Sequence, residues 1–255
     1  MNWAATQDRF DLSLLLLLGL SGGAWLTLFA WGRSPYARYL SHEALVPASE
    51  PLLLGVYLAA WLLMLNAMML PTTTPLVALF RRLTRRRAGS GWLVALLLAG
   101  YLAVWLAFSL ALYVADVSLH RLAGLIPWLA ENPWAPAAST LALAGVYQFT
   151  PLKHRCLERC RSPLSFITNH WHGKDYGKEA LSLGFHHGLY CLGCCWTLML
   201  VMFALGAANL GWMLALGAVM AAEKNSRWGR RLSTPVGLVL LAWAWLTVLR
   251  AGPWA

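Results

Sequence analysis

The sequence predicts an all-α fold, a polytopic bundle of about seven transmembrane helices in a single domain spanning 1–255, and three observations carry that reading. Hydrophobic residues make up 59% of the chain and charged residues only 12%, more apolar side chain than a soluble fold of this length can bury. The apolar residues gather into seven runs separated by short polar segments. The lysines and arginines fall between those runs, mostly in alternate connections. Fifteen tryptophans and eight tyrosines suit the two interfacial belts where rings with one polar tip collect.

The first expected helix covers 12–31. Arg9 ahead of a leucine-rich core resembles a secretory signal, but apolar character persists to Trp31 without a small-residue cleavage site, so the segment is read as a span. The second covers 52–70 and runs into A-M-M-L-P-T-T-T-P, residues 67–75. Pro71 and Pro75 predict an end or kink there. Carbonyls freed by such a break need partners in lipid, and the hydroxyls of Thr72, Thr73 and Thr74 are the nearest donors. A third helix is expected over 91–115.

The fourth, over 137–153, has a short apolar run that continues helically into the polar segment beginning at Tyr147. The fifth, 186–210, and the sixth, 212–224, are separated only by Asn209 to Gly211, which favours a tight hairpin over one long helix. The sixth falls short of the roughly 20 residues that cross a hydrocarbon core. The seventh covers 235–250.

Orientation follows from the basic residues of the short connections. Arg81, Arg82, Arg85, Arg86 and Arg87 follow helix two; Lys153, Arg155, Arg159, Arg161, Lys174 and Lys178 follow helix four; Lys224, Arg227, Arg230 and Arg231 follow helix six. With seven spans all three groups share one side, joined by Arg9, while Arg33, Arg38, Arg121 and Arg250 remain opposite. The expectation is a cytoplasmic N-terminus and an external C-terminus. The net charge of +10 is thus spent on topology and the lipid bilayer, not on nucleic acid. No internal repeat or low-complexity linker marks a second domain.

The chemistry is concentrated. All five cysteines, Cys156, Cys160, Cys191, Cys194 and Cys195, lie within 156–195, and His154, His170, His172, His186 and His187 lie in or beside that stretch. At 100° per residue, His187, Cys191, Cys194, Cys195 and Met202 share one helix face. Cys156 and Cys160 are likewise one turn apart. In the expected topology Met64, Met68 and Met69 end helix two, Cys156 and Cys160 follow helix four, His186 to Cys195 open helix five, and Glu223 closes helix six, all at the inner face. Each part also has a plain reading: methionines as apolar filler, Glu223 and Lys224 as an interfacial ion pair, the threonines as a membrane-exit turn, and His42 and His120 as solvated side chains.

The strings Y-Q-F-T-P-L-K-H-R-C-L-E-R-C-R-S-P-L (147–164), H-G-L-Y-C-L-G-C-C-W-T-L-M (187–199) and A-M-M-L-P-T-T-T-P resemble a bacterial family of predicted metal-binding integral membrane proteins of unknown function. The resemblance covers 52–225 and implies metal binding through Cys156, Cys160, Cys191, Cys194 and Cys195 in a bacterial inner membrane. The chain departs from the family pattern at Ala208, where the family carries methionine, and at His172, where it carries arginine.

The resulting candidate ligand set is Cys156, Cys160, His187, Cys191, Cys194, Cys195, Met68 and Met69. Thiolate and thioether ligands favour Cu(I), with Zn(II) the less favoured alternative. The expected role is acquisition, storage or delivery of copper, or metalloenzyme assembly, without chemistry on an organic substrate; partners would be a metallochaperone or a copper-dependent membrane or exported protein. Two other classes stay open: a membrane thiol-disulfide oxidoreductase using Cys191 and Cys194 with Cys156 and Cys160, and a structural or assembly subunit. The P-loop, nucleophile-elbow and H-E-x-x-H patterns are absent, and the histidines crowd one end rather than facing across the bundle as haem ligands do.

Overall fold

The computed structural model describes residues 4–37, 51–87, 89–132, 134–204 and 209–251. His42, Ala208 and the C-terminal residues 252–255 lie outside the described residues. Eleven helices make up the described chain: α1 (Ala4–Gly32), α2 (Pro51–Met68), α3 (Leu70–Thr84), α4 (Ser90–Leu125), α5 (Pro127–Glu131), α6 (Trp134–Tyr147), α7 (Pro151–Arg161), α8 (Pro163–His170), α9 (Tyr176–Ala204), α10 (Leu210–Asn225) and α11 (Gly229–Ala251).

The all-α expectation holds, and the elements differ from the sequence reading at four places. The kink expected near Pro71 is present, a turn of 65° at Met69, but the chain continues as α3 where a polar loop was expected, because Pro71 sits in the first turn, where its missing N–H costs nothing. Thr72 and Thr73 donate to the carbonyls of Met69 and Leu70, both at 2.8 Å, the hydroxyl compensation the sequence suggested. Arg81 and Arg82 are therefore in the last turn of a helix rather than in a loop.

The fourth expected helix is broken. Gln148 to Thr150 form a turn, then α7 starts at Pro151 with Thr150 as its N-cap, accepting from the Lys153 amide. At the fifth, α9 starts at Tyr176, ten residues earlier than expected. The Glu179 carboxylate accepts the backbone N–H groups of His172, Gly173, Lys174 and Asp175 at 2.7–3.3 Å, a charge-assisted cap that starts the helix in the polar segment. Gly173, at φ 76°, makes the turn that gathers those amides. Finally, α4 runs on to Leu125, and its 36 residues reach about 54 Å.

Four helices, α1, α4, α9 and α11, are long and apolar enough to cross a membrane, and the bent pair α2 and α3 makes a fifth candidate. The other two helices of the seven-span reading, α6 and α10, have 14 and 16 residues.

Two glycine-bearing contacts set the packing. Between α4 and α9, a Cβ on Gly184 would run into the Leu97 carbonyl, one on Gly100 into that of Leu181, and one on Gly188 would meet Val104 Cβ at 3.0 Å. The two backbones thus touch along the G-x-x-x-G face of α9, and the pairing rises in register on both chains, so they run parallel. Between α6 and α11, Gly145 faces Leu241 and Gly237 faces Phe149 and Gln148, an antiparallel pairing. The parallel contact places Tyr101 of α4 on Cys191 of α9.

Candidate metal centre

The three cysteines of α9 occupy one face, as their i, i+3, i+4 spacing requires, and all are at most 2% exposed. Two turn back on their own helix: Cys194 Sγ donates to the Cys191 carbonyl at 3.1 Å and Cys195 Sγ to the same oxygen at 2.9 Å. Cys191 Sγ points outward, 3.2 Å from the Tyr101 hydroxyl and 2.9 Å from Lys224 Nζ of α10.

Lys224 is the feature that sequence reasoning placed wrongly. The plain reading of Glu223 and Lys224 as an interfacial ion pair does not hold, since adjacent helical residues point about 100° apart. Glu223 instead receives Lys153 Nζ at 2.7 and 2.8 Å on its two oxygens and Ser233 Oγ at 2.9 Å. Lys153 also donates to Gln148 Oε1. Arg161 clamps the same turn, donating from Nη1 to the Glu223 carbonyl at 2.5 Å and from Nη2 to the Ser226 carbonyl at 2.6 Å. With Lys153 at 0% and Glu223 at 2% exposure, this pair joins α7 to α10 and α11 and fixes the rotation of α10.

That rotation sends Lys224 into the sulfur cluster. Its Nζ lies 3.5 Å from Met69 Sδ and Thr72 Oγ1 and 4.0 Å from Cys195 Sγ. A buried ammonium requires polar or charged company, and here it is sulfur from α2's end and α9 together with a hydroxyl from α3. The signal in the sequence was a lysine closing an apolar run, which reads equally well as an interfacial anchor.

Helix α7 brings the remaining thiols. Cys160 packs against the core that holds Cys191, Cys194 and Cys195, and Cys156 lies against Gly193, where a Cβ would fall 2.6 Å from its Sγ. Burial, then the neighbouring Cys194, raises the Cys156 thiol above its ordinary pKa. Tyr147 pins the same turn of α9, its hydroxyl donating to the Gly193 carbonyl at 2.5 Å. All five cysteines are free thiols.

The sequence-predicted residues therefore sort by place. Cys160, Cys191, Cys194 and Cys195 adjoin one another, and Met69 reaches them across Lys224. Cys156 stands one turn away on α7. Met68 faces Gly217 of α10, 3.2 Å from where its Cβ would lie. His187, 5% exposed, stacks beside Tyr101 one turn before Cys191. Met64, Met199, Met202, Met213 and Met220 fill the surrounding core. Among the described residues, no three His, Cys, Asp or Glu side chains converge closely enough to enclose a metal ion. Cys194 and Cys195 instead bond the Cys191 carbonyl, and Lys224 bonds Cys191 Sγ.

Fold and centre together define a class: a helical protein with bilayer-length helices around a buried cluster of thiols and thioethers. Residues 58–247 match the PpoB2 copper chaperone family, and the chain belongs to that family. No curated protein and no solved structure matches the chain significantly.

Proposed function

We propose that this protein is a multi-pass membrane copper chaperone that carries Cu(I) as cargo between the thiols of Cys191, Cys194 and Cys160, with Cys195 and Met69 at its edge. The observation that carries the reading is the meeting of sulfur from α9 and the α2 to α3 bend around Lys224, with Cys160 of α7 packed against the same core. Soft sulfur selects Cu(I) over harder ions, and Cu(I) is satisfied by two or three ligands, whereas structural Zn(II) takes four in a tetrahedron. Thiols spaced along one face of α9, with Cys160 packed beside them, offer pairs of ligands rather than a closed cage. Coordination by two or three ligands suits an ion that must be passed on. Cys156 and His187 flank the path, and Met68 packs on α10 as the neighbour of Met69.

Seven crossings, with the basic connections in the cytoplasm, fit the packing. Helices α4 and α9 would both run outward, in keeping with their parallel contact, and α6 inward against α11 outward, in keeping with theirs. Large apolar side chains such as Leu26, Leu52 and Trp92 remain exposed, as a lipid-facing surface requires. Helices α6 and α10 would cross as short helices, α6 prolonged by the polar turn into α7. The recipient would be a copper-dependent membrane or exported protein.

Elemental analysis of detergent-purified protein tests this reading. Wild type should retain copper, and Cys191→Ser plus Cys194→Ser should lose most of it. Equal copper in both would overturn the assignment. Thiol counting on the same samples separates the redox alternative, because a Cu(I) carrier keeps its cysteines reduced through loading and release.

A further inference from the structure

One turn before the thiols, a second set of metal-binding groups stands where α8 meets α9. His170, the last residue of α8, and His186 of α9 place their rings 5.0 Å apart at 45°. Each Nδ1 is engaged by the carbonyl four residues earlier on its own helix, Phe166 O at 2.9 Å for His170 and Ser182 O at 2.8 Å for His186. Ser182 Oγ stands 3.3 Å from the same His186 nitrogen. A carbonyl only accepts, so both rings hold a hydrogen on Nδ1, and the neutral ring then carries its lone pair on Nε2. A histidine held through one nitrogen by a backbone carbonyl, with the other nitrogen open, is the arrangement that orients metal ligands.

A second observation lies directly behind the pair. His187 is 5% exposed and its Nδ1 has no hydrogen-bond partner, a cost that a native protein rarely leaves unexplained. Phe166 touches both His170 and His187, with ring centroids 4.5 and 5.6 Å away. The imidazoles thus step inward from the half-buried pair to the buried His187, and Cys191 follows one turn later on the same helix.

We propose that His170 and His186 form a copper-docking site at the mouth of the thiol cluster, a two-coordinate imidazole site that receives Cu(I) and passes it by way of His187 to Cys191 and Cys194. The proposal rests on the copper reading above. Transfer is ligand exchange: bonds from copper to imidazole nitrogen break, bonds to sulfur form, copper stays in the +1 state, and the protons displaced from the thiols pass to water. Neutral nitrogen ligands bind Cu(I) more weakly than thiolates, so the ion moves inward downhill.

The test uses full-length protein in detergent and Cu(I) supplied as its bicinchoninate complex. Replacing His170→Gln with His186→Gln keeps side chains that donate a hydrogen bond, and it should slow loading about tenfold while leaving the final copper content unchanged. The two single variants should each slow loading as well, a reading independent of the double variant's yield. In Cys191→Ser plus Cys194→Ser protein supplied with Cu(I), X-ray absorption should show the smaller amount of copper that still binds held by nitrogen, and adding the two histidine substitutions should abolish it. Loading of the histidine variants at the wild-type rate, or a cysteine variant without nitrogen-bound copper, would overturn the docking site. Failure of the thiol centre reads differently: wild type would then hold copper through nitrogen alone.

Discussion

Lys224 Nζ stands 2.9 Å from Cys191 Sγ, with Lys224 only 7% exposed. Two thiolates holding one Cu(I) carry a net charge of −1, and a buried negative charge needs a partner. Lys224 supplies it at contact distance. Lys224→Met, which keeps the length and apolar stem but removes the charge, should weaken Cu(I) binding about tenfold to a hundredfold, about 1.4–2.7 kcal/mol. Competition against a chromophoric Cu(I) chelator measures this directly. Unchanged affinity would mean that the ammonium serves folding alone.

The orientation of Lys224 depends on its neighbour. Lys153 and Glu223 are paired at 2.7 Å in the interior, and removing one member leaves the other without its counter-charge, a loss of about 3–5 kcal/mol. Glu223→Gln or Lys153→Met alone should therefore lower the melting temperature in detergent sharply. Replacing both with apolar residues should recover part of the loss. Additive losses in the double variant would show that the two residues act separately.

Close approach of α4 and α9 makes Gly184 a position with no room, since its Cβ would meet the Leu97 carbonyl. Gly184→Ala should destabilise the protein and disturb copper binding, because the same contact sets Tyr101 on Cys191. Gly22→Ala is the control: nothing lies within 4 Å of its Cβ, and the helix gains about 0.8–1 kcal/mol of propensity. Thermal melts of the two variants should move in opposite directions, and a shared sign would undo the packing argument.

Much of this organisation was legible in the sequence, and the misses share a cause. Apolar runs located the cores of α1, α2, α4, α9, α10 and α11, and the clustered cysteines marked α7 and α9, because long apolar helices write themselves into composition. The boundaries were set by local chemistry that runs cannot show. Pro71 opens a further helix, α3, where a loop was expected after the kink, Thr150 and Pro151 start a new one inside an expected continuous span, and Glu179 starts α9 in a polar segment. The partners of Lys224 and Glu223 depend on how α10 is rotated against α7 and α9, a tertiary fact that adjacency in sequence misreports.

Sidedness has its own check. Cysteines introduced at Arg86→Cys and Lys174→Cys should resist a membrane-impermeant maleimide on intact cells, whereas Leu125→Cys, 78% exposed at the far end of α4, should be labelled. Labelling at all three positions, or at the first two only, would contradict the proposed orientation.

X-ray absorption of the Cu(I)-loaded wild-type protein tests most directly whether thiols from α7 and α9 share one ion. A first shell made of sulfur, reduced in sulfur count by Cys160→Ser and again by Cys191→Ser, is the predicted result. A shell of nitrogen or oxygen, or a sulfur shell indifferent to Cys160, would contradict it.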